Sequence, residues 1–226
     1  MRKIINQREN TPDPEVLQGF RDLLKVYSPS CVVADAQERA GVMHSYMKPI
    51  DRKTRFAGTA LTVRMEPGNQ VDCLDALSVA QEGDVVVVDA AGETETSIWG
   101  GLMAGLCQMK GVVGAVVDGA IRDTDETRDL GFYIFSKAIV PRSTHTITSG
   151  RMEPIEINVT IQCAGVVVNP GDIIIGDEVG VTVVPLENAP EVLAKAQKQA
   201  EMEEQTRARI RQGKTVEQLL EEFGRL

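Results

Sequence analysis

The chain has 226 residues, of which 42% are hydrophobic and 25% are charged, and its formal net charge is −9. This composition is typical of a globular protein, and the acidic excess argues against a nucleic-acid partner, whose phosphates bind clustered cations. The sequence lacks an apolar run of the roughly 20 residues that cross a bilayer and an export-type N terminus, and its four cysteines form no CxxC pair, so we expect a cytoplasmic protein with free thiols.

The chain alternates strand-forming and helix-forming segments at first and then becomes rich in short strands. Helices are predicted where apolar residues recur every three or four positions, and strands where short valine-rich or isoleucine-rich runs occur. In chain order the predicted elements are helices over 13–26 and 28–41, a strand over 55–65, a short helix within 72–84, a strand over 84–90, a helix over 98–111, a strand over 112–120, a short helix after Asp123, a strand over 131–138, several short strands over 155–185, and helices over 189–223.

Several helix boundaries can be assigned to particular residues. Ser28 or Ser30 is the candidate cap of the second helix, and Gly41 is its candidate stop. Near the C terminus, Gly213 is predicted to break the long helix and Thr215 to cap the last short one.

The middle of the chain predicts the fold class. Unbroken valine-rich strands alternate with helices, which is typical of a parallel sheet covered on both faces. We therefore expect one α/β domain with a central, partly parallel sheet over residues 1–186 and a helical extension over residues 187–226. The apolar stripe of that extension thins out beyond Met202, and such a helix often packs on a neighbouring subunit.

Two glycines mark the first candidate site. In open parallel sheets ligands bind beyond the carboxyl ends of the strands, and the loop after the strand ending at Asp89 leads to Gly100 and Gly101. Glycine in a helix costs roughly 1 kcal/mol relative to alanine. The pair either lets a small anion approach the free N–H groups of a helix start or allows close packing of the helix on the sheet. The spacing does not match a dinucleotide-binding GxGxxG.

The second candidate site is the segment DGAIRD at residues 118–123. In one interpretation Asp123 caps a helix, with Glu126 completing a capping box, and Arg122 pairs with a nearby acid. In the other, Arg122 binds a carboxylate or enolate oxygen and Asp123 supplies an oxygen ligand to Mg²⁺ or Mn²⁺. Adjacent parallel strands would bring this segment to the same crevice as the glycine pair, forming a site for a small carboxylated molecule.

Histidine and lysine offer little alternative chemistry. With only His44 and His145 in the chain, a multi-histidine metal site or a histidine-driven nucleophilic triad is not expected, and both are interpreted as surface or loop residues. Lys110 follows a predicted helix and Lys137 ends a predicted strand, so neither is an obvious Schiff-base lysine. Any metal is expected to bind oxygen ligands.

The segment WGGLMAGLCQMKGVVGAVVDGAIRDTDETRDLGFYIFSKAIVPRST, residues 99–144, resembles the signature region of the RraA-like family, and a looser similarity extends over residues 28–186. The family includes metal-dependent 4-hydroxy-4-methyl-2-oxoglutarate/4-carboxy-4-hydroxy-2-oxoadipate aldolases and ribonuclease regulators. The helical C-terminal extension is similar to that of the aldolase branch. The resemblance implies a swivelling β/β/α-type fold in a homotrimer or homohexamer, with the site between subunits.

The same resemblance implies roles for individual residues. The backbone around Gly100, Gly101, Leu102 and Met103 would bind a pyruvate carboxylate, and Arg122 would contact the pyruvoyl oxygens. Asp123 would anchor Mg²⁺ or Mn²⁺, partly through water, and a glutamate of a neighbouring subunit, Glu203 or Glu204, would join the site. Gly101 departs from several aldolases of the family, which have an acidic residue there.

The expected function is therefore a divalent-metal-dependent lyase that releases pyruvate from a 4-hydroxy-2-oxo acid and decarboxylates oxaloacetate. Both reactions pass through a pyruvate enolate, whose charge a cation and Arg122 would stabilise. The alternative is a non-enzymatic regulator that binds an RNA-processing ribonuclease. A methyltransferase of quinone precursors finds no support, because the chain lacks a glycine-rich cofactor loop.

Overall fold

The computed structural model describes residues 3–66, 73–144 and 155–224. His145 lies outside the described residues. The strands are β1 (Ile4–Ile5), β2 (Lys48–Pro49), β3 (Phe56–Met65), β4 (Asp84–Asp89), β5 (Ser97–Trp99), β6 (Gly114–Ile121), β7 (Ile134–Ile139), β8 (Ile155–Ile157), β9 (Ile161–Cys163), β10 (Val166–Val168), β11 (Ile173–Gly176) and β12 (Val181–Val184). The helices are α1 (Pro14–Leu23), α2 (Pro29–Ala36), α3 (Gly101–Met109), α4 (Thr124–Asp129), α5 (Ala189–Arg211) and α6 (Val216–Phe223), with 3₁₀ turns at Leu74–Ser78 and Leu186–Asn188.

A ten-stranded mixed sheet organises the described residues, in the order β1-β8-β3-β4-β6-β7-β2. Its centre is parallel, because β3, β4, β6 and β7 run in the same direction. Antiparallel strands complete it: β11 and β8 pair with different halves of β3, and β12 pairs with β11. The predicted α/β class with a mostly parallel central sheet and a C-terminal helix is confirmed.

Apolar cores lie on both faces of the sheet because alternate residues of a strand point to opposite faces. Val117 and Ile134 face the core that α3 covers, together with Met103 and Cys107 of that helix. Val116 and Phe135 face the second core. A third core joins α1, α2 and α5 to β11 and β12.

Most predicted elements are present, and three differ. The predicted helix over 28–41 ends at Ala36, because Glu38 and Arg39 adopt positive φ angles and leave the helix before Gly41. Residues 97–99 form strand β5 rather than the start of the helix, which begins at Gly101. The predicted helix within 72–84 is only a short 3₁₀ turn.

The second helix is also capped differently from the prediction. Ser28 occupies the cap position but makes no side-chain cap bond. Instead Asp177, in the turn between β11 and β12, accepts hydrogen bonds from Ser30 N and Ser30 Oγ, both at 2.8 Å. The carboxylate that caps this helix therefore lies 147 residues further along the chain.

The first part of the C-terminal extension packs against α1 and α2 of the same chain. Val192, Ala196 and Ala200 of α5 are buried in the core shared with α1 and α2. Gly213 has φ +78 at the end of this helix, and Thr215 forms the predicted cap of α6, completed by Gln218 as a capping box. The two predicted boundaries are confirmed.

Two bulk properties follow from the structure. In the described structure none of Cys31, Cys73, Cys107 and Cys163 forms a disulfide bond, as the sequence predicts. Within the ranges that the structure describes, every helix is too short or too polar to cross a membrane.

Candidate functional site

The candidate site lies where β6 ends, beside the start of α3. Short strand β5 runs parallel to the last residues of β6, and the backbone N–H of Arg122 donates to the carbonyl of Trp99 at 2.9 Å. Trp99 immediately precedes Gly100. This pairing brings the glycine turn and the Arg122-Asp123 segment together, as the sequence predicts.

The first turn of α3 presents free N–H groups. The first N–H groups of a helix have no partner within it, and here Gly100 at the cap position has no side chain to bond them. The Gly101 N–H points at Asp123 Oδ2, at 3.3 Å. Among the described residues, the N–H groups of Leu102 and Met103 have no side-chain acceptor. They are therefore available to an anion, which the helix dipole also favours.

Asp123 does not cap α4. It adopts a left-handed conformation, φ 53 and ψ 44, and its side chain makes no cap bond. Instead its Oδ2 atom lies 3.4 Å from Arg122 Nε and faces the Gly101 N–H. Because the side chain makes no cap bond, the capping part of the first interpretation is wrong, whereas the predicted pairing of Arg122 with a nearby acid is present. The left-handed backbone, which costs about 1–2 kcal/mol in a non-glycine residue, turns the carboxylate toward α3.

The two glycines are explained by this segment rather than by the sheet. A Cβ atom on Gly100 would lie 2.6 Å from Asp123 Oδ2 and 3.4 Å from Arg122 Nε. A Cβ atom on Gly101 would lie 1.9 Å from Glu126 Oε2. Any side chain at either position would displace the charged groups that now lie over the start of α3.

Glu126 is a candidate site residue that was not predicted from the sequence, because its spacing from Asp123 was interpreted as a capping box. Its carboxylate occupies the space that a side chain on Gly101 would fill. Asp123 and Glu126 are three residues apart, a spacing that places two side chains on one face of a helix turn. That spacing was the available signal, and the site therefore contains two carboxylates and one guanidinium.

Arg122 retains most of its hydrogen-bonding capacity. Its side chain is 42% exposed, and its ion pair with Asp123 uses only Nε. Among the described residues the two Nη groups have no partner. Because a guanidinium binds a carboxylate best through two parallel N–H groups, Arg122 can bind an anionic ligand without breaking its contact with Asp123.

The donor set fits a hydrated Mg²⁺ or Mn²⁺ ion. Asp123 Oδ1 makes no hydrogen bond among the described residues, and the Glu126 carboxylate lies nearby, over Gly101. Mg²⁺ binds carboxylate oxygens, keeps several waters and commonly uses only one or two protein carboxylates. No group of three or more His, Cys, Asp or Glu residues with metal-binding geometry occurs in the parts of the chain that the structure describes.

The two predicted C-terminal glutamates lie elsewhere in the same chain. Glu203 and Glu204 are on α5 and form ion pairs with Arg207, and Glu204 also pairs with Arg211. Glu203 lines a cavity of about 890 Å³ between α2, α5 and α6. Neither glutamate contacts the Arg122-Asp123 segment of its own chain in the described structure.

Asp118, at the start of the charged segment, has a structural role. It lies on the Val116 face of β6, opposite the α3 side, and accepts hydrogen bonds from Ala164 N at 2.8 Å and Tyr46 Oη at 3.2 Å. Burial, and then the charge of Asp118, raises the pKa of Tyr46 to about 12. The Lys137 ammonium lies 5.1 Å from the centre of the Tyr46 ring. The charges of the 118–123 segment are thus divided between a buried network and the open site.

The fold and site together define an α/β protein in which a helix start with N–H groups that lack a side-chain acceptor among the described residues lies beside two carboxylates and a guanidinium. The sequence model of the RraA-like family, described as Aldolase/RraA, matches residues 30–183. The chain belongs to the RraA-like family.

Named relatives point in two functional directions. A protein of Halalkalibacterium halodurans named "Putative 4-hydroxy-4-methyl-2-oxoglutarate aldolase" is 38% identical over 182 residues, covering 80% of this chain and 84% of that protein. The 4-hydroxy-4-methyl-2-oxoglutarate aldolase of Thermus thermophilus is 30% identical over 153 residues, covering 68% and 90%. The solved structure of Streptomyces coelicolor RraAS2, described as an unusual member of the RNase ES inhibitor RraA family, is similar with a TM-score of 0.74 and 30% identity, covering 88% of this chain and 99% of that one.

Proposed function

We propose that the protein is a cytoplasmic, divalent-metal-dependent lyase that cleaves 4-hydroxy-4-methyl-2-oxoglutarate or 4-carboxy-4-hydroxy-2-oxoadipate to release pyruvate, and that it decarboxylates oxaloacetate as a side activity. One observation carries the proposal: the Nη groups of Arg122 and the N–H groups at the start of α3, which have no side-chain partner among the described residues, lie beside two carboxylates. The name of the Thermus thermophilus relative supports the same substrate class.

Binding of the 2-oxo acid uses the residues on either side of Gly100. The N–H groups of Leu102 and Met103 bind the substrate C1 carboxylate at the helix start. Arg122 binds the 2-oxo oxygen and an adjacent carboxylate oxygen through its free Nη groups. This orientation places the C3–C4 bond of the substrate beside the carboxylates of Asp123 and Glu126.

Cleavage then transfers one proton and one electron pair. The C4 hydroxyl proton passes to the Glu126 carboxylate, the C4 carbonyl forms, and the electrons of the C3–C4 bond move to the pyruvoyl fragment as an enolate. Arg122 stabilises the negative oxygen of this enolate as it develops. Return of this proton from Glu126 to C3 of the enolate gives pyruvate and restores the Glu126 carboxylate. Oxaloacetate loses CO₂ to give the same enolate, without removal of a hydroxyl proton.

Asp123 would hold the divalent cation, with Glu203 or Glu204 of a neighbouring subunit completing its surroundings. When bound, Mg²⁺ or Mn²⁺ acts as a Lewis acid on the oxygens of a 2-oxo acid. Asp123 is suited to this position because its Oδ2 atom contacts Arg122 and the Gly101 N–H, while its Oδ1 atom has no partner in the part of the chain that the structure describes. The proposed assembly is a homotrimer or homohexamer.

A coupled assay for pyruvate tests the proposal. Purified protein is supplied with 4-hydroxy-4-methyl-2-oxoglutarate, with 4-carboxy-4-hydroxy-2-oxoadipate or with oxaloacetate, in the presence of Mg²⁺ or Mn²⁺ and after treatment with EDTA. We expect metal-dependent pyruvate release that EDTA abolishes and added metal restores. Pyruvate release that is unchanged by EDTA would exclude the metal role, and the absence of release from all three substrates would exclude the lyase.

A second candidate is a non-enzymatic regulator of an RNA-processing ribonuclease. The structural similarity to Streptomyces coelicolor RraAS2, described within an RNase inhibitor family, favours it. The two candidates differ in their dependence on Arg122. A regulator that acts through its surface would inhibit the ribonuclease equally well as wild type and as Arg122→Ala, whereas the lyase loses activity in that variant.

A further inference from the structure

A second cavity lies at the amino ends of the central strands, at the opposite end of these strands from the candidate site. It has a volume of about 460 Å³ and is bounded by the end of α1, the end of α3 and the residues that precede β6 and β7. This volume lies within the range of small-molecule sites in proteins.

The walls of this cavity are apolar and aromatic, with positive charge at one side. Phe56, Phe132 and Tyr133 supply aromatic surface, Arg21 and Arg55 supply two guanidinium groups, and no Asp or Glu is among the described residues that line the cavity. The absence of acidic lining residues is unusual in a chain with a net charge of −9. The cavity therefore favours a ligand that combines an apolar body with a negative charge.

The two arginines differ in availability. Arg55 donates to the carbonyls of Leu24 and Val26, which both follow α1. These bonds give Arg55 a structural role. The Arg21 side chain forms no hydrogen bond or ion pair with any described residue. Its Nη2 atom lies against Gly83, where a Cβ atom would be 2.4 Å away. Arg21 is thus a positioned guanidinium without an anionic partner.

We propose that this cavity binds an aromatic carboxylate, with the ring against Phe132 and Tyr133 and the carboxylate on Arg21. A planar carboxylate matches the fork of a guanidinium. Aromatic surface favours a ring over an aliphatic chain of the same size, because aromatic pairs gain energy beyond buried area.

The chain contains its own reporter of occupancy. Phe132 stacks on Trp99, with ring centroids 6.1 Å apart and an interplanar angle of 15°. Trp99 is the single tryptophan of the chain, is 2% exposed and immediately precedes Gly100. A ligand that contacts Phe132 will therefore alter the fluorescence of a tryptophan one ring away.

Benzoate is the probe for the test, measured by tryptophan fluorescence and by calorimetry on the intact protein. Benzamide retains the ring without the charge, and acetate retains the charge without the ring. We expect saturable binding of benzoate, at least tenfold weaker binding of both controls, and a loss of about tenfold in benzoate affinity in Arg21→Gln. Arg39→Gln, at an exposed arginine on another surface, leaves the affinity unchanged.

Two further variants make the result decisive. Gln108→Glu adds a negative charge to the cavity wall and should weaken benzoate binding, which tests the site even if Arg21→Gln fails to fold. Arg122→Ala should leave benzoate binding unchanged, since it alters only the candidate active site. Absence of saturable binding, including the case in which a second copy of the chain covers the cavity, overturns the proposal. So does binding that is lost in Arg122→Ala but retained in Arg21→Gln.

Discussion

Two aspartates, Asp177 and Asp123, stand at the starts of helices and are used in opposite ways. Asp177 is 1% exposed, and its oxygens accept four hydrogen bonds, from Ser30 N, Ser30 Oγ, Val179 N and Gly180 N. The Asp123 side chain is 41% exposed and accepts one hydrogen bond of 3.3 Å beside its ion pair with Arg122.

The difference separates a buried, hydrogen-bonded aspartate with a structural role, Asp177, from an exposed aspartate that makes few hydrogen bonds, Asp123. Both helix starts contain a left-handed residue, Ser28 at α2 and Asp123 at α4. At α2 the bonds to Asp177 offset the cost of that conformation. At α4 no cap bond does so, and the conformation turns a carboxylate toward free N–H groups. This contrast supports the proposed binding site at Asp123 and Arg122.

The largest expected effect tests the open side of this comparison. Arg122→Ala should lower kcat/KM for pyruvate release by a factor that corresponds to the loss of about 3 kcal/mol of transition-state stabilisation, as loss of one preorganised donor typically does. Because the Arg122 side chain is 42% exposed, the melting temperature of the variant should stay close to that of the wild type. Near-normal turnover in the variant would remove Arg122 from the mechanism.

The next effect tests the closed side. Asp177→Ala leaves buried donors at the start of α2 unpaired, so the free energy of unfolding should fall by about 2 kcal/mol, measured by urea denaturation. Pyruvate release by the folded fraction should persist. Glu178→Ala, at the exposed neighbouring residue, is the matched control and should be neutral. Equal stability of the two variants would contradict the structural role of Asp177.

A smaller effect concerns the space above Gly101. Gly101→Asp places a second carboxylate where Glu126 now lies, and overlap with like charge should lower kcat/KM about tenfold, or about 1.4 kcal/mol. Combining it with Glu126→Ala removes the overlap and leaves one acid, so the double variant should be more active than either single one. Additive losses in this double-mutant cycle would show that the two positions do not share the space.

The smallest effect concerns the buried Asp118 network. Tyr46→Phe removes one hydrogen bond to Asp118 and should cost about 1 kcal/mol of unfolding free energy at neutral pH. The pKa of Tyr46 is raised from 10.0 to about 12, so its contribution to stability is complete below pH 10 and is lost as the pH rises through about 12. The phenolate absorbance titration near pH 12 should disappear in the variant. Its persistence would assign that pKa to another tyrosine.

The sequence predicts residues whose roles depend on local spacing. Arg122 and Asp123 could be identified because charges at the end of a buried strand are costly without a purpose. Thr215 and Gly213 were identified for the same local reason, since caps and breaks act over one helix turn.

Residues that act over long distances could not be found in this way. Asp177 caps α2 from 147 positions away, and a single sequence gives no sign of that contact. Strand β5 has only three residues, too few for a period to be recognised. Glu126 was misassigned because a capping box and a pair of site carboxylates share the same spacing, and only the left-handed backbone at Asp123 distinguishes them.

The stretch from Arg122 to Glu126 carries the guanidinium and both carboxylates within five consecutive residues. Their mutual arrangement is set by one turn of backbone, so a tilt of α4 would move them as a unit relative to α3. In the proposed lyase, substitutions within this turn would alter the cation ligand and the guanidinium, whereas substitutions at Gly100 or Gly101 would alter only access to the N–H groups at the start of α3. Divergence in ligand preference would require no rearrangement of the sheet beneath.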